Sequence, residues 1–221
     1  MFYKDTREVY RVHELDHLEW LEHGFGTRLS SPWPPQPLVW VRQVHSARCV
    51  SVDGRVGCLG EADALMTDTP GCHLGIRTAD CIPILLADAR LRAVAAVHAG
   101  WRGAAQAIAR QAVGAMRERF GSRPEDLIAA IGPGVCGQCY EVGPEVAELF
   151  RPWLPDLPGS EGRFLLDLAE ANRRQLIEAG LEPARVIIGA PCTASNPTEF
   201  HSWRRDRIKT GRMVSTIAIR P

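Results

Sequence analysis

The chain has 221 residues, enough to bury a substantial core, with 45% hydrophobic and 24% charged residues. Lys and Arg total 26, as do Asp and Glu, so the formal net charge is zero. That balance, with no basic run interleaved with aromatics, gives nucleic-acid binding little electrostatic footing and leaves small polar or anionic substrates open.

Length permits one large domain or two small ones, and a single domain over 1–221 is expected. The first eight residues hold no apolar segment of signal-peptide length. No uninterrupted apolar run approaches the roughly 20 residues a membrane span needs. Both observations predict a cytoplasmic location and no membrane partner. Seven cysteines (Cys49, Cys58, Cys72, Cys81, Cys136, Cys139, Cys192) are an odd number in a medium-sized chain. They argue against a disulfide framework and for thiols or metal ligands.

In chain order, residues 13–22 have some helical spacing and 23–28 read as extended or turning. Residues 30–37 are a loop, because their prolines supply no backbone donor and bias their neighbours away from helix. Residues 39–44 and 48–52 read as strands with Gln43-Val-His-Ser46 at the turn between them, and Asp53-Gly54 suits a hairpin or tight turn. A short strand at 64–67 ends at Asp68-Thr-Pro-Gly71. Residues 74–87 are two apolar pieces interrupted by Thr78-Ala-Asp-Cys81; Pro83 bars an ordinary central strand, so a break or edge is expected near Cys81.

Residues 93–97 are apolar throughout, as in a strand buried on both faces, and 104–116 carry apolar residues at helical spacing on an alanine-rich background. Between them lies His98-Ala-Gly-Trp-Arg-Gly103, whose glycines permit a tight turn and leave an imidazole, an indole and a guanidinium near a helix N-terminus. A strand at 127–131 meets a glycine-rich loop, 132–143, that allows close backbone approach to a ligand. A short helix at 144–150, a connecting loop at 152–162 and a helix at 165–179 follow, the last suited at its ends by Asp167 and Gly180. Strands at 186–188 and 213–219 bracket a long polar loop, 192–206. Strands outnumber helices and some are expected to be antiparallel. The fold class is therefore mixed α/β, without a dinucleotide fingerprint or P-loop.

His45, Cys81 and His98 are the constellation most suited to chemistry, since strand ends bring a thiol and imidazoles together. Spacing alone makes this a weak metal signal, because the short-spaced pairs of structural zinc sites are missing. A cysteine in an apolar run also serves as a small core residue, and a histidine at a strand end as a hydrogen-bonding group. Asp80 is a candidate to orient a ligand or relay a proton, although neighbours in an extended chain point opposite ways. Cys136-x-x-Cys139 superficially resembles a redox pair, but no second pair exists for a zinc ribbon. Cys72 and Cys192 are substitutes for the metal shell, with buried thiols as the default.

Taken together, Gln43-Val-His45, Thr78-Ala-Asp-Cys81, Val97-His-Ala-Gly-Trp-Arg-Gly103, Ile131-Gly-Pro133, Cys139-Tyr-Glu-Val-Gly143 and Trp203-Arg-Arg-Asp206 resemble the laccase-domain family. That family was first named polyphenol oxidase and is now described as zinc-dependent purine nucleoside phosphorylases with adenosine deaminase activity. The resemblance runs from His23 to the C-terminus. It implies that His45, Cys81 and His98 bind Zn2+, and that the partners are purine nucleosides (adenosine, inosine, methylthioadenosine) and phosphate. Two imidazoles and one thiolate leave a fourth tetrahedral position open, as in a catalytic site. Phosphorolysis needs phosphate held beneath the ribose C1′ and charge stabilised on the departing purine, tasks for which Arg28, Arg42, Arg204 and Arg205 are candidates. Phe200-His201-Ser202 resembles the family's loop beside the substrate, where an aromatic stacks on a purine and His201 contacts base or ribose.

The implied fold is an α/β/β/α sandwich with mixed sheets, similar to cysteine-hydrolase-like toxins. That likeness also implies a rival, a Cys81/His98 thiol hydrolase in peptidoglycan-precursor editing. A copper-dependent polyphenol oxidase is a weaker implication, because repeated His-x-His pairs are missing. A third reading is a metal that only staples a non-catalytic binding protein. Between Arg28 and Val39 the chain departs from the family pattern, with a short proline-rich connection in place of a Gly-Gly-x-Ser loop and an Asn-Arg helix.

Overall fold

The computed structural model describes residues 1–160 and 162–221. Its first half runs β1 (Phe2–Lys4), β2 (Val9–Val12), α1 (His13–Asp16), β3 (Leu21–Gly26), β4 (Leu38–Arg42), β5 (Cys49–Ser51), β6 (Gly57–Glu61), β7 (Ala64–Thr67), β8 (His73–Thr78), β9 (Ile82–Asp88) and β10 (Ala93–Ala99). The helices α2 (Trp101–Ala105) and α3 (Ile108–Phe120) follow, then β11 (Leu127–Ile131), β12 (Glu141–Val142), α4 (Pro144–Leu149), β13 (Gly159–Ser160) and β14 (Arg163–Leu165). The chain ends with α5 (Leu168–Glu178), β15 (Val186–Ile187), α6 (Trp203–Asp206) and β16 (Met213–Ile219). Among the described residues, no helix is long and apolar enough to cross a membrane.

A seven-stranded sheet in the order β1-β2-β3-β16-β8-β4-β6 stacks on a six-stranded sheet in the order β15-β11-β9-β10-β7-β5, and β12-β14-β13 form a small third sheet. Both large sheets mix parallel and antiparallel pairs, as expected of a mixed α/β chain. The strand period of two divides the core. In β10, Ala93, Ala95, Val97 and Ala99 join the cluster under α2, α3 and α5, whereas Val94 and Ala96 join the cluster between the sheets. Small alanines on the helix side let Ala109, Ala112 and Val113 of α3 approach closely. His98 falls on the parity of Val94 and Ala96. It therefore points toward the space between the sheets, as does Cys81, which shares the parity of Leu85 and Ala87.

The expected break at Cys81 is where the chain changes sheets. β8 lies in the seven-stranded sheet and β9 in the six-stranded one, so Ala79-Asp-Cys81 is a crossing. Residues 43–48 make a second crossing, from β4 to β5, so the two strands flanking Gln43-Val-His-Ser46 do not pair with each other. Asp53-Gly54, with Gly54 at φ +85°, is a tight turn between sheets rather than a hairpin. Pro83 does sit in a central strand, contrary to expectation: it faces His98 of β10, and its carbonyl accepts from the Gly132 amide at 2.8 Å. On that side β11 has already ended at Ile131, so its missing N–H deprives no ladder partner.

The alanine-rich helix is two helices, broken where Ala107 takes φ +59°. The helix expected from residue 165 begins at Leu168, capped by Asp167, whose carboxylate accepts from the Glu170 amide at 2.9 Å. Residues 163–165 pair instead with β12 and β13, so the expected connecting loop at 152–162 contributes a strand, and Glu161 within it lies outside the described residues.

The proline-rich loop covers part of the outer face of the seven-stranded sheet, the face opposite the one from which Phe25 joins the core between the sheets. The Trp33 ring occupies the space above Gly24 and Gly26, where an added Cβ would lie 2.8 Å and 2.5 Å from its carbons. Its Nε1–H donates to the Val214 carbonyl at 2.7 Å. Trp33→Ala should lower stability by about 2 kcal/mol, less than a fully buried indole because Trp33 is half-buried. Gly26→Ala should cost a comparable amount, since its methyl would displace the ring. Urea unfolding midpoints check both, and shifts equivalent to under about 0.5 kcal/mol would contradict this packing.

Candidate metal centre

Asp63, between β6 and β7, is completely buried. Its carboxylate gathers the 43–48 crossing: it accepts from the amides of Val44 (3.2 Å), His45 (3.0 Å) and Ser46 (2.6 Å) and from the Ser46 hydroxyl (2.7 Å). Its Oδ1 also lies 2.8 Å from His98 Nδ1. An ionised carboxylate only accepts, so Nδ1 carries a proton, and in the neutral ring the lone pair of His98 lies on Nε2, free for a ligand at the cavity. The Asp63 carbonyl accepts from the His98 amide at 2.7 Å, which ties the same two segments again.

His45 pays for this arrangement with a left-handed backbone, φ +59°, which costs about 1–3 kcal/mol for a residue with a Cβ. The turn aims its ring at His98, with ring centroids 4.9 Å apart and planes at 67°. A Cβ on Gly100 would overlap the His45 ring and lie 3.1 Å from Cys81 Sγ, so a glycine is required where these side chains meet. Ligand atoms of His45, Cys81 and His98 all lie within 4.8 Å of one another. His45 Nδ1 is buried with no hydrogen-bond partner. An orphaned imidazole nitrogen, a thiol and a second imidazole oriented by a carboxylate form a donor set that fits a divalent ion.

Electrostatics agrees with the geometry. Burial opposes ionisation of Asp63, but its bonds from His98 and Ser46 outweigh that and hold the carboxyl below its usual range. Burial likewise disfavours the charged form of His98, yet Asp63 and Cys81 together push it up to about 9. Burial and the neighbouring His98 charge lower His45. Without metal, these neighbours favour the protonated form of His98 and the neutral form of His45.

A cavity of about 720 Å³ opens over the donors. Among the described residues, six arginines line it (Arg42, Arg77, Arg102, Arg204, Arg207, Arg212), and Asp80 is the only acidic side chain that does. Asp80, at φ +85°, turns its carboxylate toward the 193–204 segment. There it accepts from Thr193 Oγ1 (2.6 Å), Ser202 Oγ (3.0 Å) and the Arg204 amide (2.5 Å). It anchors loops rather than offering a free carboxylate. The Arg102 guanidinium lies 4.3 Å from the Trp101 ring centroid, Arg77 5.1 Å from Trp40, and Arg204 5.7 Å from Tyr140.

The structure thus brings together His45, Cys81, His98, Asp80, Arg42 and Arg204. It sets four other predicted contacts apart from the cavity lining. Arg205 spends its guanidinium on Asp206 and on the carbonyls of Thr193, Ala194 and Phe200. Phe200 is fully buried against Tyr10, with ring centroids 5.7 Å apart. His201 packs its ring over Gly211, and Arg28 donates to the Pro197 carbonyl at 2.9 Å. Cys72 belongs to the core between the sheets, and Cys192 lies with Cys136 and Cys139 rather than in this shell. Asp63 was not among the predicted site residues. Its signal was an acid inside the apolar run Ala62-Asp-Ala-Leu-Met66, which can be buried only with partners.

Residues 27–220 match the family described as multi-copper polyphenol oxidoreductase laccase. The chain belongs to this family. It is 42% identical over 184 residues to a protein named purine nucleoside phosphorylase from Deinococcus radiodurans, covering 81% of this chain and 69% of that one. It is 37% identical over 195 residues to adenosine deaminase RL5 from an unknown prokaryotic organism, covering 81% and 74%. The crystal structure of the Bacillus licheniformis hypothetical protein YfiH superposes with a TM-score of 0.90 at 28% identity, over 99% of both chains. The fold is therefore that of the laccase-domain family.

Two outcomes follow from the Asp63 hub. Asp63→Asn should lower stability by about 3 kcal/mol and metal affinity by about 10–100-fold, read from unfolding curves and competition with a chelator. Metal uptake at pH 7 should release the His98 proton, so affinity falls as pH is lowered. Calorimetric titrations in buffers of different ionisation enthalpy check this, and heats independent of buffer would contradict it.

Proposed function

We propose that the chain is a zinc-dependent purine nucleoside phosphorylase acting on adenosine, inosine and methylthioadenosine, with adenosine deamination as a second activity of the same centre. The observation that carries this reading is the set of six arginines around the His45/Cys81/His98 donors. Deamination alone needs no anion site. Arg42 is paired with Glu61 at 2.7 Å, and the five remaining guanidinium groups against one lining acid, itself already engaged, suit a reaction whose co-substrate is phosphate. The names carried by the relatives point the same way.

His45, Cys81 and His98 would hold the zinc, which supplies Lewis acidity toward an oxygen or a water in its fourth position. Asp63 keeps His98 in the tautomer that offers Nε2. Arg102 and Arg77, stacked on Trp101 and Trp40, are held ready to grip phosphate oxygens without a large loss of side-chain freedom. Trp203 and Tyr140 line the cavity, beside Arg212 and Arg204 respectively, and supply aromatic surface for stacking with a purine. Arg204 is positioned from two sides: Asp80 holds its amide, and its own Nη2 donates to the Glu141 carbonyl at 2.9 Å. From there it can stabilise negative charge on the departing base. Deamination is supported by one feature: three protein donors would leave a bound zinc one further position for water.

Zinc-loaded protein mixed with inosine and phosphate should release hypoxanthine and ribose 1-phosphate, measured by chromatography. A chelator or His98→Ala should abolish the reaction, whereas a Cys81/His98 thiol hydrolase would survive chelation. Arg102→Ala should raise KM for phosphate about tenfold with a smaller change in kcat. Adenosine supplied without phosphate should yield inosine and ammonia if the second activity is present. Failure of all three nucleosides to turn over with phosphate would overturn the phosphorylase reading.

A further inference from the structure

Three of the seven cysteines are gathered outside the site already described. Cys136, Cys139 and Cys192 are free thiols, half-buried, whose sulfurs all lie within 4.8 Å of one another. Cys136 and Cys139 flank one 3-10 turn, closed by the Cys139 amide donating to the Cys136 carbonyl at 3.0 Å, which puts both sulfurs on one side. Cys192 comes from the other end of the chain through a parallel bridge to Gly134. Its sulfur accepts from the Cys136 amide at 3.3 Å, a contact that favours thiolate over thiol.

We propose that Cys136, Cys139 and Cys192 form a second metal site, a three-thiolate cradle for a thiophilic d10 ion, Cu+ or Zn2+. Around such an ion, sulfurs at the usual 2.3 Å bond length stand about 3.8 Å apart, so only a small contraction of this cluster is needed. Ligating thiols give their protons to solvent. Among the described residues no fourth His, Cys, Asp or Glu joins the set. A cavity of about 470 Å³ opens beside Cys136, between Gly137, Leu157 and Arg174, so the cluster borders open space on the Cys136 side, where an exogenous fourth ligand would approach. Soft thiolates select these ions over hard ones.

The site would act on the other centre through the loops that carry it. Val135, next to Cys136, donates its amide to the Asp80 carbonyl at 2.9 Å, and Thr193, next to Cys192, donates its hydroxyl to the Asp80 carboxylate at 2.6 Å. Joining Cys136 to Cys192 through one ion staples the two segments that hold Asp80, the residue that precedes the ligand Cys81. This assignment stands on the thiol geometry alone and does not depend on the nucleoside reading.

The test is metal stoichiometry with X-ray absorption on the whole chain, loaded with excess Zn2+ or, anaerobically, with Cu+, and then desalted. Wild type should retain two equivalents of metal, one of them in a shell of sulfur only. Cys192→Ser and Cys136→Ser should each lose that equivalent and keep the one at His45, Cys81 and His98, whereas His98→Ala should lose only the latter. Whichever ion fills the sulfur shell names the cargo. A single equivalent in wild type with both ions, or a second one that survives both serine changes, overturns the proposal. If the serine variants fail to fold, the wild-type absorption spectrum decides alone, since a second equivalent without an all-sulfur shell rejects the site. A disulfide among these three cysteines in the purified protein rejects it as well.

Discussion

The carboxylate of Asp63 is the constraint on which the candidate centre depends. A fully buried acid is costly unless its oxygens are satisfied, and here three amides, a hydroxyl and an imidazole satisfy them. Those donors come from two different places in the chain, the crossing between the large sheets at residues 43–48 and the end of β10. One acid thereby sets the left-handed turn at His45 and the tautomer of His98 together. The strain at His45 is offset by the amide bonds that the turn makes available to Asp63.

The second determinant is where the chain changes sheets. Two crossings, 43–48 and 79–81, fall beside the C-terminal end of β10, and the strand parities of Cys81 and His98 direct both toward the space between the layers. Gly100 clears the volume in which His45 and Cys81 approach. α3 packs on the opposite face of the six-stranded sheet and supports the donors from behind, while the first residues of α2, α5 and α6 (Trp101, Arg102, Leu168, Trp203, Arg204) line the cavity. Asp80 does comparable work for the other wall, drawing residues 193–204 against Ala79-Asp-Cys81 and setting Arg204 at the opening.

Much of this fold was readable in residue order. Residues 127–131 and 213–219 are strands with the expected bounds, because apolar β-branched runs between turn signals leave little choice. The break at Ala107 was not readable, because alanine favours helix locally and only tertiary packing holds it at φ +59°. Pro83 fits a central strand because the neighbouring β11 stops one residue short of it, a circumstance that residue order does not show. The convergence of His45, Cys81 and His98 rested on family motifs, since spacings of 36 and 17 residues carry no local geometry of their own. Adjacent arginines show the same limit: Arg204 reaches the cavity and Arg205 is consumed by backbone carbonyls, a division decided by the α6 turn and invisible in the dipeptide. For Asp63 the sequence shows only an acid in an apolar run; three of its five donors are backbone amides, which have no sequence signature.

Anomalous-difference crystallography of the zinc-loaded protein at the zinc edge tests the account most directly. It predicts a peak about 2.0–2.3 Å from a ring nitrogen of His45, a ring nitrogen of His98 and the Cys81 sulfur, with Asp63 still accepting from His98 Nδ1. Density showing no ion among these three side chains, or an ion that draws His98 away from Asp63, would contradict it.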